Sequence, residues 1–220
     1  MIAVVDYQKG NLKSVERGLI AAGGEAFITA DASEIAKADA IVLPGVGAFA
    51  DAAATMCELG QMEAIRDRVR AGVPFLGICL GEHLMFEHGV EGAPEGNPAC
   101  GLGLLPGTVV AMPRCDAQGK AFKVPHVGWN TIEMPACNGG ELAFACPLFD
   151  GIAPGEYFYF THSYIAPTGS HTIAETTHST RFTSAVQFGE RAFGVQFHPE
   201  KSSDAGARVL ANFVAIAARG

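Results

Sequence analysis

The chain has 220 residues, 49% hydrophobic and 17% charged, enough apolar surface for a large core and too apolar for a disordered segment. A formal charge of −8 argues against nucleic acid or an anionic membrane surface as the main partner. No apolar run is long enough to span a bilayer, and Met1-Ile2-Ala3-Val4-Val5-Asp6 lacks the basic start of a secretory leader. The six cysteines (Cys57, Cys79, Cys100, Cys115, Cys137 and Cys146) have neither Cys-x-x-Cys nor zinc-finger spacing. The expectation is one domain spanning 1–220, with reduced thiols, in the cytoplasm, with no metal and no cofactor.

Residues 2–5 read as a buried strand. After Gly10, Asn11 stands where it can cap a helix with Leu12, Val15, Leu19 and Ile20 as its apolar stripe, stopped by Gly23-Gly24. A second strand at 26–28 precedes Asp31-Ala-Ser-Glu34, which has capping-box spacing. Residues 40–43 form a third strand, followed at once by Pro44-Gly45-Val46-Gly47. Two glycines there allow close approach of a ligand to the backbone, though the tetrapeptide alone reads as well as an ordinary turn. Helices are expected at about 49–59 and 61–71.

The stretch from Val73 to Phe86 is an apolar run, then Gly77-Ile78-Cys79-Leu80-Gly81, then a helical pattern. Residues 88–101, rich in Gly, Pro and Glu, read as a surface loop. From 102 to 190 short β-rich runs take over, at 108–112, 122–124, 157–164, 172–176 and 185–188. An amphipathic helix from Asp204, with Val209, Leu210, Phe213, Val214 and Ile216 inward, closes the chain. The predicted fold is α/β: a parallel or mixed central sheet of flavodoxin-like type flanked by helices, with an added antiparallel β layer.

Gly77-x-Cys79-x-Gly81 between a strand and a helix is a nucleophile elbow with Cys in place of Ser. The glycines remove side chains that would collide at the turn. The helix start favours a thiolate and offers N–H groups, Leu80's first, to an oxyanion. A buried structural cysteine fits the local pattern about as well. The deciding segment is Gln196-Phe197-His198-Pro199-Glu200. Pro199 pushes His198 into extended backbone, where residues two apart share a side, so His198 and Glu200 can converge. Cys79, His198 and Glu200 then fit nucleophile, base and orienter.

On these motifs the chain resembles the class I (triad-type) glutamine amidotransferases. Within them it is similar to the glutaminase subunits of imidazole glycerol phosphate synthase. The likeness runs nearly end to end, through Leu43-Pro44-Gly45-Val46-Gly47, the Cys79 elbow, Pro125-His126-Val127-Gly128-Trp129-Asn130, His162-Ser163-Tyr164 and His198-Pro199-Glu200-Lys201-Ser202. The resemblance implies a glutamine substrate attacked by Cys79, with His198 as acid and base and Glu200 as its orienter. It implies an oxyanion hole from Leu80 with Val46 or Gly47, and a glutamine pocket including His83, His162, Ser163 and Tyr164. It also implies a heterodimer with a (β/α)₈-barrel cyclase that receives the ammonia in histidine biosynthesis, contacted through Asn11, Trp129, Tyr159 and Lys201.

The chain departs from the family pattern at three places. His83, preceded by Glu82, stands where Gln is usual four residues after the nucleophile; a protonated His83 favours a Cys79 thiolate and Glu82 opposes it. Gln8 stands where Gly is common, and 176–182 lack a Tyr-Gly turn. A glutaminase for another acceptor, a free-standing γ-glutamyl hydrolase and a catalytically impaired scaffold remain as alternative readings.

Overall fold

The computed structural model describes residues 1–135 and 144–219; Cys137 lies outside them. The first half alternates strands and helices: β1 (Ile2–Val5), α1 (Leu12–Ala21), β2 (Ala26–Thr29), α2 (Ala32–Ile35), β3 (Ala40–Gly45), α3 (Phe49–Glu58), α4 (Gln61–Arg70) and β4 (Phe75–Cys79). A single helical turn, α5 (Leu80–His83), leads to β5 (Phe86–Gly89), β6 (Ala99–Cys100), β7 (Leu105–Ala111) and β8 (His126–Thr131). Then come β9 (Tyr157–His162), β10 (Tyr164–Ile165), β11 (Thr172–Thr177), β12 (Arg181–Phe188), β13 (Ala192–Val195) and α6 (Ser203–Ala217).

The seven-stranded central sheet has the order β11-β12-β13-β4-β3-β1-β2. From β13 to β2 the pairings are parallel, whereas β12 and β11 join antiparallel. Strands covered on both faces need apolar side chains at every position. In β1, Ile2 and Val4 face α1 and α6, which bring Val15, Leu19, Val209, Leu210 and Phe213. Ala3 and Val5 face the other layer with Ile41, Leu43, Phe49, Met56 and Ile65. Each such Val, Leu or Ile contributes about 1.5–3 kcal/mol by burial. A four-stranded sheet (β10-β7-β5-β6) and the hairpin β8-β9 complete the fold.

Several expectations need correction. Strands β11 to β13 extend the central sheet rather than forming an added layer, while β5 to β10 supply the separate antiparallel and mixed pieces. The elbow helix is one turn long, and the 88–101 loop begins and ends in paired strands. Residues 122–124 form no strand; nearby, Cys115 and Ala121 make an isolated bridge. Asn11 heads α1 without a side-chain capping bond, and Ile20 is 53% exposed. Asp31 caps α2 by accepting from the Ser33 N–H, but Glu34 turns to the Thr29 hydroxyl, leaving the box half formed. Gln8 takes φ +70°, a conformation that suits glycine and costs a larger residue about 1–2 kcal/mol. Residues 178–180 close the β11–β12 hairpin without a Tyr-Gly turn. Among the described residues no helix is long and apolar enough to cross a membrane.

Candidate active site

The C-terminal ends of adjacent β3 and β4 meet in a pocket of about 380 Å³. Sites in open α/β sheets form beyond these strand ends. Cys79 ends β4 with φ +55° and ψ −108°, a strained backbone that turns its side chain out of the sheet. The turn closes because Gly77 and Gly81 lack side chains: a Cβ on Gly77 would strike Gly81, and one on Gly81 would strike the Leu43 carbonyl. Leu80 opens α5, so its N–H has no partner within the helix. Val46, Gly47, Ala48, Leu80, His83, Glu91, Thr161, His162, Ser163, Tyr164 and His198 line the pocket with Cys79.

His198 follows β13 in extended backbone, and its Nδ1 lies 2.9 Å from Glu200 Oε1. The two converge as expected, but through a 3-10 turn over Pro199–Lys201 rather than through extended chain. Both side chains are buried. Burial pulls the His198 pKa down, but Cys79 and Glu200 together outweigh it and raise it to about 9. Its Nε2 has no hydrogen-bond partner of normal geometry among the described residues, which leaves it for a reacting group.

The pocket wall is held from behind. His162 Nδ1 lies 2.9 Å from the Tyr164 carbonyl, and its Nε2 lies 3.0 Å from His126 Nδ1. Burial pushes His162 well below its ordinary range and His126 to about 4, so both are neutral near pH 7. His162 therefore shapes the wall and spends both nitrogens within the protein. Val46 donates its N–H to the Tyr7 hydroxyl at 3.1 Å, so that donor is engaged here.

His83 reaches the same pocket, but burial lowers its pKa to about 4. His83 is therefore neutral near pH 7, and the help that a protonated His83 would give a Cys79 thiolate does not arise there. Glu82 points to the other side of α5, where a Cβ on Gly194 would meet its Cγ. It is fully buried, both carboxyl oxygens lack partners among the described residues, and burial raises its pKa well above the ordinary range.

Trp129 and Tyr159 pair across β8 and β9 with ring centroids 6.1 Å apart, and Lys201 Nζ sits 5.9 Å from the Tyr159 ring centre. Trp129 is 54% exposed, beside exposed Val127 and Tyr157, so the outer face of the hairpin is apolar and open. Asn11 is half-buried at the head of α1, which packs on the 3-10 turn carrying Lys201. Sequence reasoning did not single out Gln196, whose Nε2 donates to Cys79 Sγ at 3.8 Å, or Glu91, in a segment read as surface loop. Gln196 alternates with Val195 and Phe197 in a buried run; that unneeded polar group was the available signal.

The glutamine amidotransferase class-I family model matches residues 3–217. The imidazole glycerol phosphate synthase subunit HisH of Moorella thermoacetica is 44% identical over 96% of this chain and 93% of its own. That of Rhodopirellula baltica is 43% identical over 97% of this chain and 96% of its own. Among solved structures, a glutamine amidotransferase aligns with TM-score 0.70 at 20% identity, covering 99% of this chain and all of the other. The glutaminase domain of Trypanosoma brucei CTPS, with bound acivicin, aligns with TM-score 0.65 at 17% identity over 99% of this chain and 93% of that one. At such identities these two speak for the fold alone. The elbow, the pocket and the full-length matches lead to one conclusion: the chain belongs to the class-I glutamine amidotransferases.

Proposed function

We propose that this chain hydrolyses glutamine to glutamate and ammonia as the glutaminase subunit of an imidazole glycerol phosphate synthase, in histidine biosynthesis. The observation that carries the reading is the Cys79 elbow opening onto the same pocket as the His198–Glu200 pair. Cys79 Sγ attacks the side-chain amide carbon of glutamine. The oxyanion is held by the Leu80 N–H and a donor of the Val46–Gly47 loop, where Val46 must exchange its bond to Tyr7. His198, charged at neutral pH, passes its proton to the amide nitrogen, and ammonia leaves a γ-glutamyl thioester. Neutral His198 then takes a proton from the attacking water, and the thiolate is expelled as glutamate forms. Glu200 orients the ring throughout. Glu91 supplies a carboxylate that the substrate's ammonium group can meet. Incubation with a glutamine analogue carrying an electrophilic side chain must add one mass increment at Cys79; labelling elsewhere, or none, counts against the reading.

The pKa of His198 also sets a pH dependence. Its folded value of about 9 lies above the ordinary 6.5, so its proton stabilises the fold fully below 6.5. That contribution is lost as pH rises through 9. Thioester formation in a single turnover falls over the same upper range, as the acid disappears. Glu200→Gln moves the fall to lower pH; an unmoved profile contradicts the assigned role.

The ammonia acceptor is a (β/α)₈-barrel cyclase subunit in a heterodimer. The open face bearing Val127, Trp129, Tyr157 and Tyr159 supports this, because β9 also ends in the pocket wall at Thr161 and His162. Aromatic anchors of this kind dominate interfaces. Trp129→Ala is expected to weaken cyclase binding by about 30-fold in calorimetric titration, the cost of losing one such anchor. Unchanged affinity would place the contact elsewhere.

A further inference from the structure

His83 and Gln196 form a buried relay onto the nucleophile. His83 is 3% exposed, and its Nε2 lies 2.7 Å from Gln196 Oε1. Gln196 is fully buried and anchored by its own N–H to the Ser184 carbonyl at 3.0 Å, and its Nε2 faces Cys79 Sγ at 3.8 Å. A neutral imidazole has one N–H and one lone pair. With the proton on Nε2, His83 donates to the Gln196 carbonyl, and the amide NH₂ is turned onto sulfur. With the proton on Nδ1, a lone pair meets the carbonyl oxygen, or the amide turns and aims its own oxygen at sulfur. Against a thiolate, which can only accept, only the first arrangement joins a donor to an acceptor at every contact. Nδ1 then remains an acceptor, with no protein partner among the described residues, on a side chain that lines the pocket. Glu82 takes no part, since neither of its oxygens bonds to His83.

We propose that His83 is a positioning residue for the nucleophile: as the Nε2–H tautomer it locks the Gln196 amide so that its NH₂ donates to the Cys79 sulfur and stabilises the thiolate. This deepens the glutaminase reading and rests on it for its catalytic consequence. The relay itself concerns only the thiol. It holds the thiolate before attack and receives it again when the thioester is hydrolysed, while the single acceptor Nδ1 is what His83 leaves for glutamine. A glutamine side chain at 83 can make the same donation to Gln196 and still offer an amide oxygen and a further N–H to the substrate.

The test is the rate at which iodoacetamide alkylates Cys79 at pH 7, read on the Cys79 peptide because Cys57, Cys100 and Cys115 are exposed and react as well. His83→Leu and Gln196→Leu each slow alkylation about tenfold, the low end for a hydrogen bond to a charged group at this long distance. The double variant is no slower than either, and His83→Gln recovers most of the loss while lowering the apparent KM for glutamine. Losses that add, a wild-type rate in either leucine variant, or equal slowing in His83→Gln and His83→Leu would overturn the relay. Circular dichroism identifies a variant that fails to fold, and the other leucine variant then decides. Because alkylation needs no glutamine, a chain that never released glutamate could still pass or fail this test.

Discussion

Replacing Cys79 by glycine is expected to cut glutamate release on the order of 10⁵-fold and to give a more stable fold than replacing it by alanine. Removal of an attacking nucleophile costs rates of that size in enzymes that form a covalent intermediate. The stability gain comes from the backbone. Cys79 holds φ +55° and ψ −108°, a region that strains residues bearing a Cβ by about 1–3 kcal/mol. Glycine accepts it but gives up about 0.5–1 kcal/mol of chain entropy on folding. The net expectation is a gain of about 1 kcal/mol in urea unfolding for Cys79→Gly over Cys79→Ala, which lacks the same thiol. Cys79→Ala loses the same activity and keeps the strain. If Cys79→Gly is less stable than Cys79→Ala, the turn is not strained in the way described.

Glu82→Met is the second large effect. Glu82 sits fully buried beneath the elbow with neither carboxyl oxygen partnered among the described residues. A buried polar group without a partner costs about 1–3 kcal/mol, and methionine fills a similar volume without it. The sign of the pH dependence follows from the raised pKa. Above the ordinary value of 4.5 the unfolded chain releases the Glu82 proton, while the folded chain keeps it. The penalty therefore grows as pH rises above 4.5, and the advantage of Glu82→Met is larger at pH 7 than at pH 4. Denaturant unfolding at the two pH values measures it. A variant that is less stable, or whose advantage does not change with pH, contradicts the placement.

The parallel half of the sheet was legible because buried strands and amphipathic helices alternate at short range. The antiparallel half was not: short runs such as 172–176 and 185–188 announce strands but not the edge they join, which depends on pairing far along the chain. His198 and Glu200 could be brought together on paper through extended backbone, and the chain does it with a 3-10 turn, because Pro199 fits the first position of such a turn. Glu82 and His83 were legible as neighbours acting in opposite senses on the Cys79 thiol, but not as two buried side chains. A single turn packed on both sides buries both, and no local pattern carries that information. Glu91 escaped notice for a related reason, since glycines and prolines around it signal a loop without saying where the loop folds back.

The most direct measurement is glutamate release from glutamine by the purified chain. It is run alone, with a cyclase subunit, and with that subunit plus its ribotide ligand, using Cys79→Ala as the blank. The account predicts release that rises sharply when partner and ligand are present and vanishes in the Cys79→Ala chain. Release no greater than the blank under every condition, or equal release from the Cys79→Ala chain, would contradict it.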